Sequence, residues 1–214
     1  MTARFRSWRA DRYSGRTNET TMAENPLVFI VDDEPLVPLA LKPLLNRLGF
    51  SVCGTATNER EALLGIAETR PDCVVVDLRL FEGNGIALIS ELRRIDEVWP
   101  RCVVLTGHVD LVLRRLAQSI GADHFVIKGT EPLLLVEVLR EVTSAGFERP
   151  PCDERVTREE MEVFYQLPTL GGPNVDPTLL KSLMKKLKAT SVHQLKVAAT
   201  YLQTENSSVS TIGF

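Results

Sequence analysis

The sequence predicts an α/β protein, in which a doubly wound sheet of five parallel strands is followed by a small all-α domain. Between residues 27 and 127, five short apolar runs alternate with stretches that have helical spacing. Such an alternation of strand and helix builds a parallel sheet with helices on both faces. The first run, LVFIV, contains no polar position, which is typical of a strand that is buried on both faces.

Apolar runs predict the strands, and the stretches between them predict the helices. The strands are expected at residues 27–31, 51–56, 73–76, 102–105 and 124–127. The helices are expected at about residues 35–48, 58–69, 85–95, 111–119 and 131–144. Asn58 is expected to cap the second helix, because its side chain can accept a hydrogen bond from the first turn. Pro43 falls inside the first helix, where it removes a backbone hydrogen bond and is expected to kink the chain.

Polar side chains stand at the ends of four of these strands. Asp32 and Asp33 follow the first strand, and Asp77 follows the third. Thr106 follows the fourth strand, and Lys128 follows the fifth. The carboxyl ends of parallel strands share one edge of the sheet, where α/β folds bind their ligands. These five side chains are therefore expected to converge in space.

The chemistry of this cluster indicates phosphoryl transfer to an aspartate. Three crowded carboxylates repel one another, so the cluster needs a hard divalent cation, and oxygen ligands suit Mg²⁺. Lys128 adds a positive charge and Thr106 adds a hydroxyl donor, so Asp77 is expected to take up a phosphoryl group as an acyl phosphate. Each residue alone also has an ordinary explanation; the acidic residues before Pro35, for example, could simply cap a helix. The prediction rests on their joint placement at strand ends.

Residues 27–145 resemble the receiver domain of two-component response regulators. The segments that carry the resemblance occur in the family's order, as FIVDDEPLV, VVVDLRL, VVLTGH and GADHFVIKG, with Gly83 and Gly85 after the second. The resemblance implies a flavodoxin-like fold with Asp77 as the phosphoacceptor. It also implies a Mg²⁺ site whose ligands are the carboxylates of Asp32, Asp33 and Asp77 and the backbone carbonyl of Arg79.

The same resemblance implies a catalytic role for Thr106 and Lys128 beside the phosphoacceptor, and a switch made by Thr106 and Phe125. Phosphorylation would draw the hydroxyl inward, and the aromatic ring would follow it. Three positions depart from the family's usual pattern, since Phe81 and Gly129 stand where proline is common and Pro43 falls inside the first helix. A residue other than proline after the lysine is frequent in the NarL/FixJ class, which favours a DNA-binding unit downstream.

Residues 154–204 resemble a degenerate form of the LuxR/FixJ-type helix-turn-helix domain. Thr157 and Glu160 have the spacing of a capping box, and a final amphipathic helix is expected at about residues 191–202. Residues 166–176 are rich in proline and glycine where the family has a further helix, so one helix is expected to be missing. Four lysines surround a stripe of leucines and are tentative DNA contacts: Lys181, Lys185, Lys186 and Lys188. They could equally be the solvated face of a helix pair.

The remaining segments are expected to carry no fold of their own. Residues 1–25 are an arginine-rich disordered leader in which Met22 is a plausible start, residues 146–153 are a linker, and residues 205–214 are a disordered tail. The four cysteines form no Cys-x-x-Cys pair, and no apolar run approaches membrane length. Buried, reduced thiols and a cytoplasmic location without membrane contact are therefore expected.

Two functions from different classes remain open. In the first, a sensor histidine kinase phosphorylates Asp77, and the modified receiver, as a monomer or homodimer, changes the affinity of the C-terminal helices for duplex DNA. In the second, the protein is a phosphorelay or protein-interaction switch that does not bind DNA. A phosphohydrolase is disfavoured, because the first strand ends in Asp-Asp-Glu rather than Asp-x-Asp and no cap domain follows. The chain is accordingly expected not to be an enzyme.

Overall fold

The structure is a computed structural model that describes residues 25–95, 100–148, 154–169 and 175–203. Its strands are β1 (Leu27–Val31), β2 (Ser51–Ala56), β3 (Cys73–Val76), β4 (Arg101–Thr106) and β5 (His124–Ile127). Its helices are α1 (Leu36–Arg47), α2 (Glu59–Thr69), α3 (Gly85–Ile95), α4 (Leu111–Ile120), α5 (Pro132–Thr143), α6 (Arg158–Gln166), α7 (Pro177–Leu187) and α8 (Val192–Gln203). The predicted strands and helices are confirmed, with ends that move by a single residue.

The five strands form one parallel sheet in the order β2-β1-β3-β4-β5. β1 lies between β2 and β3, so the order of the strands reverses at the β1/β3 pair. In doubly wound sheets this reversal opens a crevice at the carboxyl ends of the two strands, where ligands bind. The fold class predicted from the sequence is therefore confirmed, and the crevice lies where Asp32 and Asp77 leave the sheet.

Two apolar clusters cover the two faces of the sheet. Alternate residues of each strand enter opposite clusters, as Val74 and Val75 of β3 do. The helices α1 and α5 cover one face, and α2, α3 and α4 cover the other. Burial on both sides explains why the strands lack a polar alternation in the sequence.

The helix starts follow the capping chemistry that the sequence indicates. Asn58 accepts a hydrogen bond from the backbone N–H of Glu61 at 2.9 Å, so the predicted cap of α2 is confirmed. Asp110 caps α4 in the same way through the N–H of Leu113. α1 is continuous through Pro43, which lies on the exposed side of the helix. Two of the flanking helices, α2 and α4, thus begin at side chains that cap their first turns.

The C-terminal helices α6, α7 and α8 extend the apolar cluster that contains α4. Leu116 and Ala117 of α4 share this cluster with Phe164 of α6, Leu183 of α7 and Leu195 of α8, all buried. Arg115 donates a hydrogen bond to the carbonyl oxygen of the last residue of α7 at 3.1 Å. A cation at this end of a helix satisfies a free carbonyl and favours the helix dipole. The C-terminal unit therefore packs directly on the α4 face of the sheet domain.

Several segments named in the sequence analysis lie outside the described residues, in whole or in part. They are the leader up to residue 24, most of the linker at residues 149–153, the proline- and glycine-rich stretch at residues 170–174, and the tail from residue 204. In the parts of that stretch that are described, residues 167–169 form a turn rather than a further helix. None of the described helices is long and apolar enough to span a membrane. Within the described residues, the cysteines at positions 53, 73 and 102 form no disulfide bond.

A buried ion pair joins α6 to α7. The carboxylate of Glu160, which is 2% exposed, accepts hydrogen bonds from Lys186 Nζ at 2.7 Å, Ser182 Oγ at 2.6 Å and the backbone N–H of Thr157 at 2.7 Å. The bond to Thr157 completes the predicted capping box, which is confirmed. Burial raises the pKa of Glu160, but the bonds from Lys186 and Ser182 outweigh burial and hold this pKa below the ordinary value of 4.5.

We expect Glu160→Gln to destabilise the C-terminal unit by about 2 kcal/mol, because the amide leaves Lys186 without its charged partner. The matched control is Glu162→Gln on the same helix, whose exposed pair with Arg158 is worth about 0.5 kcal/mol or less. Because the pKa of Glu160 is lowered in the folded state, its contribution is complete above about pH 5 and is lost as the pH falls through that lowered pKa. Urea unfolding at pH 7 and pH 4 measures both effects, and equal losses in the two variants would contradict the prediction.

Candidate phosphorylation site

The two acidic strand ends lie side by side at the crevice between β1 and β3. The backbone N–H of Asp32 donates to the carbonyl of Ala56 at 3.0 Å, and the N–H of Asp77 donates to the carbonyl of Val31 at 2.9 Å. These bonds continue the ladder by one residue beyond the strands, so the sheet itself fixes where both carboxylates begin. Both residues are almost fully buried, with 2% exposure at Asp32 and 6% at Asp77.

Lys128 reaches both carboxylates from the end of β5. Its Nζ lies 2.6 Å from Oδ2 of Asp77 and 2.9 Å from Oδ2 of Asp32. Its backbone N–H donates to the carbonyl of Thr106 at 2.8 Å, which ties the ends of β4 and β5 together. Glu34 approaches the same ammonium group at 3.5 Å from the surface. One cation therefore bridges the two acidic strand ends across the sheet.

Burial and charge act against each other within this cluster. Burial raises the pKa of Asp32 to about 6, although Lys128 opposes the shift. Burial alone would lower the pKa of Lys128, but Asp77 and Asp32 raise it above the ordinary lysine value. Lys128 therefore stays charged, while Asp32 carries a charge that the protein alone compensates only in part.

The acidic cluster is suited to a divalent cation. The candidate ligand oxygens of Asp32, Asp33 and Asp77 all lie within 4.8 Å of one another. Three carboxylates and the ammonium group of Lys128 leave an excess of two negative charges (3 − 1 = 2). Carboxylate oxygens are hard donors of the kind that Mg²⁺ takes, and a divalent cation would balance this excess and favour the ionised form of Asp32. The residues present therefore fit a magnesium ion.

Thr106 and Phe125 lie on the same face of the sheet. Thr106 ends β4 and is fully buried, and its hydroxyl oxygen accepts a hydrogen bond from the backbone N–H of His108 at 3.4 Å. Phe125 pairs with Val104, two residues before Thr106, so both side chains point toward the α4 side. The guanidinium carbon of Arg114 on α4 lies 5.9 Å from the centre of the Phe125 ring. The two residues of the predicted switch therefore face the same side of the sheet, and Phe125 lies beside Arg114 of α4.

The loop that follows Asp77 is held close to this predicted phosphoacceptor. The backbone N–H of Arg79 donates weakly to Oδ1 of Asp77 at 3.4 Å, and Arg79 forms an isolated bridge with Asn84. A Cβ at Gly85 would lie 2.1 Å from the carbonyl oxygen of Asp77. No side chain fits at this distance, which explains why position 85 is glycine.

The structure adds residues to the rim of the site that the sequence did not indicate. Tyr201 of α8 stacks on His108 with ring centres 4.0 Å apart, and the guanidinium carbon of Arg79 lies 5.2 Å from the centre of its ring. Tyr165 of α6 donates a hydrogen bond to Oδ1 of Asn84 at 3.2 Å. These residues come from helices far along the chain, and no local pattern marks them in the sequence.

One tentative DNA contact does not fit its position. Lys186 is bonded to the buried carboxylate of Glu160 and is only 19% exposed, so its charge serves the core of the C-terminal unit. Lys181, Lys185 and Lys188 are exposed, and Lys185 makes a loose pair with Glu154 at 3.4 Å. Helical spacing placed all four lysines together, but the acidic partner on another helix separates Lys186 from the rest.

Comparisons with known proteins agree with this geometry. The response regulator receiver domain family matches residues 28–140. The transcriptional regulatory protein PrrA of Mycobacterium tuberculosis is 33% identical over 181 residues, which cover 83% of this chain and 76% of that protein. The DNA-binding transcriptional activator DevR/DosR of the same organism is 34% identical over 167 residues, covering 75% of each chain. A crystal structure of a LuxR-family two-component response regulator from Aurantimonas superposes with a TM-score of 0.53 and 30% identity, over 56% of this chain and 85% of that chain.

Proposed function

Because the chain belongs to the response regulator receiver family, we propose that it is a response regulator whose Asp77 accepts a phosphoryl group from a sensor histidine kinase. The observation that carries this proposal is the joint placement of four groups at one edge of the sheet. Asp32 and Asp77 flank the crevice, Lys128 Nζ lies 2.6 Å from Asp77, and Thr106 ends the neighbouring strand. The protein then acts as a phosphorylation-controlled switch rather than as an enzyme.

In the proposed reaction, a carboxylate oxygen of Asp77 attacks the phosphorus atom of the donor. A new O–P bond forms, the bond to the leaving group breaks, and the leaving group departs with its electron pair. Lys128 is already in contact with Asp77 and neutralises the charge that gathers on the acyl phosphate, while Thr106 supplies a hydroxyl donor. Magnesium held by Asp32, Asp33, Asp77 and the carbonyl of Arg79 would neutralise the oxygens of the transferring group.

For the output, we propose phosphorylation-controlled binding of duplex DNA by the C-terminal helices. The names of two relatives, PrrA and DevR/DosR, describe transcriptional regulators, and the alignments with them cover three quarters or more of this chain. The exposed lysines of α7 and its cap provide a positive face for phosphate groups. A homodimer formed through the receiver would present two such faces to neighbouring half-sites.

A second candidate is a switch whose output is a protein contact. The observation that favours it is the packing of the C-terminal unit, which shares an apolar cluster with α4 and commits Lys186 to Glu160. A unit held in this way could bind a protein partner according to the phosphorylation state of Asp77, without binding DNA. The two candidates differ in whether the protein forms a selective complex with duplex DNA.

We expect the protein to bind selected genomic fragments more tightly when beryllofluoride and Mg²⁺ mimic the phosphorylated state. Lys181→Ala and Lys185→Ala should each weaken binding across sequences and reduce the slope of log affinity against log salt by about 1, because each removes one phosphate contact. Gel-shift titrations at several salt concentrations measure the slope. Lys42→Ala is the matched control, since it removes an exposed lysine from α1, away from the C-terminal helices.

Footprinting separates selective from general binding. A protected site that requires the mimic supports the transcriptional output, and an unchanged slope in both lysine variants would remove α7 from the DNA contact. If the mimic binds the receiver while no fragment is preferred, the output is a protein contact, and the second candidate is correct.

A further inference from the structure

The C-terminal unit meets the receiver around the mouth of the phosphorylation site. Tyr165 of α6 is bonded to Asn84 in the loop after β3, and Tyr201 of α8 contacts Arg79 in the same loop. Tyr201 also stacks on His108 in the loop after β4, with an angle of 15° between the two rings. The unit therefore touches both loops that lead away from Asp77 and Thr106.

Tyr201 is the residue of the unit that comes closest to the reacting groups. Burial raises the pKa of Tyr201, while a side-chain hydrogen bond with Thr106 lowers it and the negative charge of Asp77 raises it. Its ring lies against both the guanidinium group of Arg79 and the imidazole of His108, which stand two residues after Asp77 and two residues after Thr106. One aromatic side chain thus ties the two loops to each other and to Thr106.

This position has two consequences for the reaction. A phosphodonor must approach an oxygen of Asp77 from solvent, but the Asp77 side chain is only 8% exposed with Tyr201 in place. In addition, the hydrogen bond with Tyr201 restricts the rotation of the Thr106 hydroxyl, which has to turn toward a phosphoryl oxygen in the product. The same side chain therefore lies against the two loops that border Asp77, and it also contacts the hydroxyl that the product needs.

We propose that Tyr201 belongs to the phosphorylation site as a restraining residue, so that phosphoryl uptake by Asp77 and displacement of α8 are coupled. The proposal rests on the phosphorylation of Asp77 proposed above. With acetyl phosphate as donor, a carboxylate oxygen of Asp77 forms a bond to phosphorus, the bond from phosphorus to the acetate oxygen breaks, and acetate leaves with the electron pair. Coupling is reciprocal, so a phosphorylated Asp77 must favour the displaced form of α8 as strongly as the docked α8 opposes phosphorylation.

The test measures the rate of phosphoryl uptake by the full chain from radiolabelled acetyl phosphate with Mg²⁺. Tyr201→Ala removes the ring and the hydroxyl, and we expect uptake to be about fivefold faster than in the unmodified protein, because a larger fraction of the molecules is then open to the donor. Tyr201→Phe keeps the ring and removes only the bond to Thr106, so its rate should lie between the two. Val197→Ala, at an exposed position of the same helix, is the control for changes in helix stability and should leave the rate unchanged.

A second measurement reads the coupling in the opposite direction. Amide hydrogen exchange in residues 192–203 should become faster when beryllofluoride and Mg²⁺ are added to the unmodified protein. It should remain slow in Asp77→Asn, which cannot form the mimic complex. This measurement does not depend on how any Tyr201 variant folds.

The outcomes separate this inference from the proposed function. If the unmodified protein takes up no phosphoryl group, the function proposed for Asp77 is wrong and the inference falls with it. If uptake occurs at the same or a lower rate in Tyr201→Ala, phosphoryl uptake stands but Tyr201 does not restrain the site. Exchange in residues 192–203 that is unaffected by the mimic would likewise overturn the coupling.

Discussion

Asp77→Asn is expected to abolish phosphoryl uptake, lowering the rate at least about 100-fold, because an amide oxygen is not a nucleophile toward phosphorus under these conditions. The fold should persist, since asparagine has the same shape and its carbonyl oxygen can still accept the hydrogen bond from Lys128 Nζ. Incubation with radiolabelled acetyl phosphate and Mg²⁺, followed by denaturing gel electrophoresis, measures the label that each variant retains.

Asp110→Asn is the matched control for this change. Asp110 also lies at the carboxyl edge of the sheet, where it caps α4, and asparagine caps a helix about as well as aspartate. This variant should therefore take up label at the normal rate. Label that persists in Asp77→Asn would place the phosphoacceptor on another residue and remove the basis of the proposed reaction.

Lys128→Ala is expected to slow phosphoryl uptake by about 10²-fold to 10³-fold, because it removes a cation that is in direct contact with Asp77. Binding of Mg²⁺ should remain, since the three carboxylates that would hold the ion are unchanged. In this variant, binding of the beryllofluoride mimic should also fail to change the conformation of Thr106 and α4, because Lys128 joins the ends of β4 and β5 to the site. Stopped-flow uptake measurements and Mg²⁺ titration separate the two properties.

An exposed lysine provides the comparison for this variant. Lys42→Ala removes the same charge from the surface of α1 and should change neither uptake nor Mg²⁺ binding. Normal uptake in Lys128→Ala would mean that its ammonium group has only a structural role. A loss of Mg²⁺ binding of the same size as the loss of uptake would show that Lys128 acts by organising the carboxylates.

The sheet and the core of the site follow from local features of the sequence. A run of apolar residues that ends in Asp32 or Asp77 specifies both a buried strand and the chemistry at its end, because the end of a parallel strand fixes the edge of the sheet that it occupies. Thr157 and Glu160 likewise mark the start of a helix by their spacing alone.

Contacts between helices that are distant in the chain could not be predicted from local sequence features. Tyr201 reaches Thr106 only because α8 packs on α4, and nothing near position 201 in the sequence encodes that packing. Lys186 has the same spacing as its exposed neighbours, yet it is drawn inward by Glu160, 26 residues away. The positions of Tyr201 and Lys186 thus depend on which helices pack together. Helical periodicity carries no information about such packing.

The most direct test of the central claim is to locate the phosphoryl group itself. The protein is phosphorylated with acetyl phosphate and Mg²⁺, then reduced with borohydride, which converts an acyl phosphate on aspartate to homoserine, and its peptides are sequenced by mass spectrometry. Homoserine at position 77 in the unmodified protein, and at no position in Asp77→Asn, is the predicted result. Homoserine at Asp32, Asp33 or any other aspartate, with position 77 unchanged, would contradict the assignment of the phosphoacceptor.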